Sequence, residues 1–261
     1  MPTSRFRAPA AAREPRGPIS PAVNVFVTGG SRGIGRAIAL RFARLGAERV
    51  AIGFMRNDRA AEETAAELRA AGAEPVLVRG NVTSDRVLEQ VAALGALDVL
   101  VHSAATGVVR PALETDDKHW DWTHGANVRA LLSLARVTVP SMPPGSSIVA
   151  ISSLGSQRVL ENYALIGTSK AALEALVRYL AVELAPRGIR VNAVSAGVVE
   201  TGALDHFPNR KQMLEAGSAN PAGRLVEPDD VAAAVAFLCS PEAEMIRGHV
   251  LVVDGGFLLG V

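Results

Sequence analysis

The 261-residue sequence is poor in several features that define other classes of protein. Its one cysteine, Cys239, excludes an internal disulfide and is typical of a reducing compartment. There are 27 basic against 26 acidic residues, a net charge of +1 that predicts no broad basic face for nucleic acid. No apolar run approaches the roughly 20 residues that span a bilayer. We therefore expect no nucleic acid and no membrane as partners, and a cytoplasmic location.

The sequence also lacks the spacing of a metal site. His119 and His124 are five residues apart, which does not place both side chains on one face of a helix. We predict no bound metal.

Residues 1–21 differ in composition from the rest of the chain. They hold four arginines against one glutamate, are broken by prolines, and contain no apolar stretch of the kind that a secretory signal needs. A transit peptide is one interpretation, but the prolines and the low serine content favour a solvated extension. We predict a disordered tail over 1–21 and one domain over 22–261, since a 49% hydrophobic share supports a large core.

Short β-branched apolar runs alternate with helical patterns along this domain. The predicted strands are 23–28, 49–54, 75–79, 97–101, 147–151, 188–194 and 249–253. The predicted helices are 36–45, 58–71, 84–94, 116–139, 170–184 and 228–238. This alternation predicts an α/β fold, a single doubly wound Rossmann domain with a seven-stranded parallel sheet and helices on both faces.

A glycine-rich turn follows the first predicted strand. Its residues are Gly29, Gly30, Ser31, Arg32, Gly33, Ile34 and Gly35. Glycines permit a tight turn, and the start of the next helix offers free N–H groups to a pyrophosphate. The spacing differs from the GxGxxG fingerprint, but its place after the first strand favours a dinucleotide site.

The end of the second strand favours NADPH over NADH. An acidic residue there would bind the adenosine ribose of NAD, whereas a basic residue suits the 2′-phosphate of NADP. Residues 53–55 are not acidic, Arg56 follows them, and Arg32 lies in the glycine turn. Two guanidinium groups near one phosphate indicate NADPH, with two ordinary surface arginines as the alternative.

Other predicted strands end in small or polar residues that would meet in the same cleft, because ligands bind beyond the carboxyl ends of parallel strands. Asn81 and Val82 follow the third strand and are placed at the adenine. The later strand ends contribute Ser103, Ala104, Ser153 and Gly197.

Tyr163 and Lys170 are seven residues apart, about two helical turns, so both can face one side of a helix. A nearby ammonium favours the phenolate and would lower the pKa of the tyrosine. The alternative is an ordinary amphipathic helix whose lysine reaches the solvent.

These motifs resemble the short-chain dehydrogenase/reductase family. The matching residues are 28–35, Asn127, Ser152, Ser153, Lys170, 192–194 and 254–256. The family's usual tyrosine lies four residues before the lysine, where this chain has Ile166. A tyrosine seven residues before the lysine resembles the pattern of the NADPH-dependent enoyl-acyl-carrier-protein reductase III type. The other residues that resemble this type are 119–123, 152–156, 160–163, 170–184, 206–210 and 245–248.

The resemblance implies that NADPH reduces a trans-2-enoyl thioester at its β-carbon while Tyr163 holds the enolate oxygen. Lys170 would bind the nicotinamide ribose, and Val199 and Thr201 would hold the carboxamide. Asn127 would support Lys170 through water, or else have only the structural role of bending its helix. Ser153 occupies the family's catalytic serine position; it either acts in catalysis, or packs or contacts substrate. After the fourth strand, His102 replaces a family asparagine, and it is either a titrating group near the cofactor or a packed core histidine.

The polar insertion at 202–223 is the expected cover over the acyl chain, with Leu204 and Phe207 as substrate contacts. Arg210 and Lys211 either meet an acidic carrier or phosphopantetheine, or form a solvated charged pair. The partner is an acyl thioester of acyl-carrier protein or CoA, in fatty-acid or related acyl biosynthesis. The family also implies a homotetramer, with helices 116–139 and 170–184 at the interface. A carbonyl reductase and a catalytically silent NADP-binding protein are the alternatives.

Overall fold

The computed structural model describes residues 23–202, 204 and 210–260. The predicted tail at 1–21 and the predicted substrate contact Phe207 lie outside these residues. Within them, no helix is both long and apolar enough to cross a membrane.

Seven parallel strands form one sheet in the order β3-β2-β1-β4-β5-β6-β7. They are β1 (Asn24–Thr28), β2 (Arg49–Phe54), β3 (Glu74–Arg79), β4 (Val99–His102), β5 (Ser147–Ser153), β6 (Arg190–Ala196) and β7 (Val250–Val253). The strand order reverses between β1 and β4, which pair through Thr28 and His102 at their carboxyl ends. Such a reversal opens a crevice for ligands at that edge of the sheet.

The helices are α1 (Gly33–Arg44), α2 (Asp58–Ala70), α3 (Asp85–Ala92), α4 (Asp117–His124), α5 (Ala130–Thr138), α6 (Ala164–Glu183), α7 (Arg210–Ser218) and α8 (Pro228–Cys239). One core packs α1, α2 and α8 on one face of the sheet through residues such as Phe42, Leu68 and Val235. A second core packs α3, α5 and α6 on the other face through residues such as Leu134 and Leu173. The predicted doubly wound fold is confirmed.

Three differences from the predicted elements affect the cleft. The helix predicted over 116–139 consists of α4 and α5 joined by a π-helical segment, Gly125–Arg129. Helix α6 begins at Ala164, earlier than predicted, and Tyr163 is the residue just before it. The insertion over 202–223, predicted only as polar and glycine-bearing, contains helix α7.

Candidate active site

A cleft opens beyond the carboxyl ends of β1, β4, β5 and β6. It encloses about 1120 Å³, more than the roughly 300–1,000 Å³ of an ordinary small-molecule site. The cleft can therefore hold a dinucleotide together with a second ligand.

Most of the predicted site residues line this cleft. They are Gly29, Ser31, Arg32, Gly33, Ile34, Gly35, Asn81, Val82, Ser103, Ala104, Ser153, Tyr163, Lys170, Gly197, Val199, Thr201 and Leu204. Arg56 is exposed just past Met55, the neighbour that does line the cleft. Asn127 is buried behind the wall.

The glycine turn has the shape that a pyrophosphate needs. Gly29 has a φ of +68°, and a Cβ there would lie 3.1 Å from the backbone nitrogen of Ala104. Gly33, with a φ of +54°, begins α1, whose first turn has neither an acidic residue nor a side-chain cap. The N–H groups at this helix start are therefore available to an anion.

Arg32 lines the cleft, and Arg56 is exposed next to Met55, which also lines it. Arg36 and Arg79 are paired with Glu67 and Asp58, whereas among the described residues no ion pair involves the exposed Arg32 or Arg56. Within the described part of the chain, neither guanidinium group is therefore neutralised by a carboxylate, so both can pair with a phosphate.

Thr28 and His102 brace β1 against β4. The hydroxyl of Thr28 accepts from the backbone nitrogens of Ser103 (3.1 Å) and Ala104 (2.9 Å), and lies 3.1 Å from Nδ1 of His102. Nε2 of His102 lies 3.1 Å from the carbonyl of Ala126, which can only accept, so Nε2 carries the proton. Burial lowers the pKa of His102 to about 4. His102 is a packed, neutral core residue, as the second of its two interpretations predicted.

Tyr163 projects into the cleft beside the end of β5. Its hydroxyl lies 3.2 Å from Oγ of Ser153, which also accepts from the backbone nitrogen of Gly155 at 3.1 Å. Burial raises the pKa of Tyr163, and the hydrogen bond with Ser153 offsets only part of that effect. The predicted lowering of this pKa is wrong for the protein alone, because loss of hydration dominates. Tyr163 is thus a neutral phenol.

Two further residues set the position of Tyr163, and neither role was predicted from the sequence. A Cβ on Gly155 would come within 2.6 Å of Cδ1 and Cε1 of the tyrosine, so one edge of the ring lies against this glycine. Asn162, just before the tyrosine, has a φ of +58°, and its carbonyl accepts from the backbone nitrogen of Arg110 at 2.8 Å. The pattern Gly155 with Asn162-Tyr163 was visible in the sequence, since asparagine tolerates a positive φ and glycine permits another group to approach closely.

Ile166 lies where the family's usual tyrosine would be. Its side chain is buried and packs against Gly107, whose missing side chain leaves the space that Ile166 fills. Ile166 is not among the residues that line the cleft, so the only phenol near Lys170 in the described part of the chain is that of Tyr163.

Lys170 lies at the floor of the cleft, 5% exposed. Its ammonium donates to the carbonyl of Ile151 at 2.7 Å. Burial lowers the pKa of Lys170 to about 8, and the carboxylate of Glu174 partly offsets this. The lysine is therefore charged at neutral pH but close to losing its proton.

Asn127 lies within the π-helical segment and ties two walls of the cleft together. Its Oδ1 accepts from the backbone nitrogen of Thr106 at 2.9 Å, and its Nδ2 donates to the carbonyl of Thr106 (2.9 Å) and to Oγ of Ser169 (2.8 Å). It therefore holds the loop after β4 against the helix that carries Lys170. The predicted support of Lys170 through water remains a prediction.

The insertion closes the other end of the cleft with apolar side chains. Leu204, and Met213 on α7, line the cleft. Arg210 lies 2.8 Å from Glu200, and Lys211 lies 3.8 Å from Glu215, which agrees with the interpretation of these two residues as solvated charged partners.

A family model and a relative in sequence that match this chain are both described as reductases. A family model described as enoyl-(acyl carrier protein) reductase matches residues 29–258. The chain is 37% identical over 238 residues to a 1-cyclohexenylcarbonyl-CoA reductase of Streptomyces collinus, an alignment that covers 88% of this chain and 85% of the relative.

Solved structures share the fold. A short-chain dehydrogenase from Burkholderia cenocepacia J2315, in complex with NADP, is 32% identical with a TM-score of 0.84, over 93% of this chain and 100% of that one. The reductase LugOII, described as promiscuous and as catalysing keto-reduction at C1 during lugdunomycin biosynthesis, is 33% identical with a TM-score of 0.82, over 90% and 98% of the two chains. This protein belongs to the short-chain dehydrogenase/reductase family of oxidoreductases.

Proposed function

We propose that this protein is an NADPH-dependent enoyl-thioester reductase that reduces the α,β double bond of a trans-2-enoyl group carried on CoA or acyl-carrier protein. The observation that carries the proposal is the placement of one phenol. Tyr163 projects into the cleft, while Ile166, at the position of the family's usual tyrosine, packs against Gly107.

The glycine turn and the two arginines that form no ion pair in the described part of the chain suit the binding of NADPH. The N–H groups at the start of α1 would hold the pyrophosphate, and Arg32 with Arg56 would hold the 2′-phosphate. Val199 and Thr201 would lie at the carboxamide, and Lys170 at the nicotinamide ribose. The B. cenocepacia relative, solved with NADP, supports this choice of cofactor. When bound, NADPH supplies the hydride that the reaction consumes.

Tyr163 would act on the thioester oxygen. When hydride adds to the β-carbon of an enoyl thioester, negative charge moves to this oxygen, three bonds away. A neutral phenol donates a hydrogen bond to that oxygen, and the raised pKa of Tyr163 keeps the phenol neutral. Addition of a proton at the α-carbon then gives the saturated thioester.

Ser153 and Lys170 would assist Tyr163 in different ways. Ser153, 3.2 Å from the phenol oxygen, fixes the direction of that hydroxyl. Lys170 adds positive charge beneath the site, which favours the enolate more than the neutral substrate.

The Streptomyces relative supports an unsaturated thioester as the substrate class. The name 1-cyclohexenylcarbonyl-CoA describes a CoA thioester whose carbonyl is attached to a ring alkene. The apolar side chains of Leu204 and Met213 provide a surface suited to an acyl group in the present cleft.

A carbonyl reductase is the second candidate. The hydrogen-bonded pair of Ser153 and Tyr163 offers two hydroxyls to one carbonyl oxygen, as ketone reduction requires. The keto-reduction described for LugOII, a structural relative, also favours this candidate.

NADPH oxidation by the purified protein, with crotonyl-CoA and acetoacetyl-CoA in parallel assays, separates the two candidates. The proposal expects oxidation with the enoyl ester and its loss in Tyr163→Phe. Turnover of the keto ester alone would favour the carbonyl reductase instead.

A homotetramer is also part of the proposal. Tyr179 and Val182 on α6 are 70% and 59% exposed, and Trp120 on α4 is 47% exposed. Apolar side chains so exposed support an interface through these helices. Sedimentation velocity of the full chain tests it, with a monomer as the contrary result.

A further inference from the structure

Helix α6 carries a buried carboxylate that the proposed chemistry does not use. Glu174 is 4% exposed, and its Oε1 accepts a hydrogen bond from Oγ of Ser152 at 2.6 Å. Burial of an ionised carboxylate is costly unless another group compensates its charge. A buried glutamate next to a catalytic cleft therefore needs an explanation in terms of its partner.

The partner charge lies one helical turn away. Lys170 precedes Glu174 by four residues, so both side chains lie on the same face of α6. The ammonium of Lys170 donates to the carbonyl of Ile151 (2.7 Å), and the carboxylate of Glu174 accepts from Ser152 (2.6 Å). Ile151 and Ser152, consecutive residues at the end of β5, therefore fix the positions of the two charged groups relative to each other.

No other charge near the lysine takes this role among the residues that the structure describes. His102, on β4, is neutral because burial lowers its pKa to about 4, and in its charged form it would oppose Lys170. Tyr163, at the start of α6, is neutral because burial raises its pKa. Asn127 and Ser169 bond to each other and carry no charge. On the β6 side, the neighbour of Ser152 is the uncharged Ser195.

We propose that Glu174 is a positioning residue, a buried counter-charge held by Ser152 that keeps the side chain of Lys170 protonated and fixed at the floor of the cleft. The inference concerns the protein without substrate. Only its turnover arm, described last, rests on the proposed function.

The physical reason is a balance between two opposed effects on the lysine. Burial disfavours the ammonium, and a carboxylate in the same low-dielectric region favours it. A neutral amide in place of the carboxylate would leave burial unopposed. Lys170 would then lose its proton near or below neutral pH, and the cleft would lose its positive charge.

Direct titration of the lysine by NMR tests this inference. The chain has only three lysines, Lys118, Lys170 and Lys211, so protein with ¹³C,¹⁵N-labelled lysine gives few side-chain signals. The Lys170→Arg variant identifies the signal of Lys170, and the exposed Lys118 and Lys211 are internal controls.

Glu174→Gln should lower the pKa of Lys170 by about one unit or more, with the other two lysines unchanged. Glu174→Asp, which keeps the charge, should recover part of the shift. Ser152→Ala, which keeps the charge but releases the carboxylate, should give a smaller shift. If Glu174→Gln does not fold, these two variants decide the question. An unchanged titration of Lys170 in folded variants would overturn the inference.

Turnover gives a second measurement. With crotonyl-CoA, the fall in kcat at alkaline pH should move to lower pH in Glu174→Gln by the same amount as the NMR titration. A variant that is only less stable, with an unshifted pH profile, would show a structural role and overturn the proposal. Failure of the wild-type protein to reduce crotonyl-CoA would count against the proposed function, while the NMR result would still decide the role of Glu174.

Discussion

The hydroxyl groups of Tyr163 and Ser153 are 3.2 Å apart, where β5 ends and just before α6 begins. The phenol is the group that would bind the enolate oxygen, and the serine directs it. Tyr163→Phe should therefore lower kcat about 100- to 1,000-fold, the usual cost of losing one such donor. Ser153→Ala should cost about tenfold, because the phenol remains. Steady-state kinetics with crotonyl-CoA measures both effects.

The chain contains a matched control, since its other tyrosine, Tyr179, is 70% exposed on α6. Tyr179→Phe should leave kcat unchanged. A larger loss in Ser153→Ala than in Tyr163→Phe would reverse the roles of the two hydroxyls and point to carbonyl chemistry.

Gly155 leaves the space that one edge of the Tyr163 ring occupies, because a Cβ there would come within 2.6 Å of ring carbons. Gly155→Ala should displace the ring and lower kcat by about tenfold or more, since small displacements of a catalytic group are costly. Thermal unfolding should show a folded protein. Gly260→Ala, at a position with open space around it, is the control. Normal kinetics in Gly155→Ala would mean that the ring position does not matter.

Arg32 lines the cleft and is predicted to meet the 2′-phosphate of NADPH. Arg32→Ala should weaken NADPH binding about tenfold or more and leave NADH binding nearly unchanged, because only NADPH carries that phosphate. Nucleotide fluorescence titration gives both dissociation constants. Arg44→Ala, at the far end of α1, should change neither constant. Equal losses of affinity for NADPH and NADH would mean that Arg32 binds a part of the nucleotide that both cofactors share.

His102 makes the stability of the fold depend on pH. Its pKa is about 4 in the folded protein, against an ordinary value of 6.5. Between these two pH values, His102 binds a proton in the unfolded chain but not in the folded protein. The neutral form of His102 therefore contributes to the free energy of unfolding. This contribution is fully present above pH 6.5 and is lost as the pH falls towards 4, by about 2 kcal/mol at pH 5.

Asparagine does not titrate in this range. From pH 7.5 to pH 5, the free energy of unfolding of His102→Asn should therefore fall by about 2 kcal/mol less than that of the wild type. Urea unfolding at both pH values measures the difference. His249→Asn, at an exposed histidine, should follow the wild type. Parallel losses in all three proteins would show that His102 is not held neutral.

The alternation of strands and helices was enough to predict the sheet, because short apolar runs such as residues 25–27 are typical of buried strands. The cleft could also be predicted, because the topology of the sheet brings residues at strand ends, such as Gly29 and Ala104, together. The pKa of Tyr163 did not follow, because sequence spacing places a charge nearby but does not report the loss of water. The partnership of Ser152 with Glu174 was equally hidden, as a glutamate on an amphipathic helix is usually solvated.

A helix bend at Asn127 was one of the two interpretations of this residue, but its π-helical form was not predicted. A continuous helical pattern over 116–139 does not reveal one extra residue in a turn. The structural reason is visible only in three dimensions, where the amide of Asn127 meets both Thr106 and Ser169.

One measurement tests the central proposal most directly. The purified protein receives an equimolar mixture of crotonyl-CoA and acetoacetyl-CoA with NADPH deuterated at C4 of the nicotinamide, each face in turn, and the products are identified by mass spectrometry and NMR. The proposal predicts butyryl-CoA with a single deuterium at its β-carbon, from one of the two deuterated cofactors, and no such product from Tyr163→Phe. Deuterated 3-hydroxybutyryl-CoA as the main product, with crotonyl-CoA left intact, would contradict it.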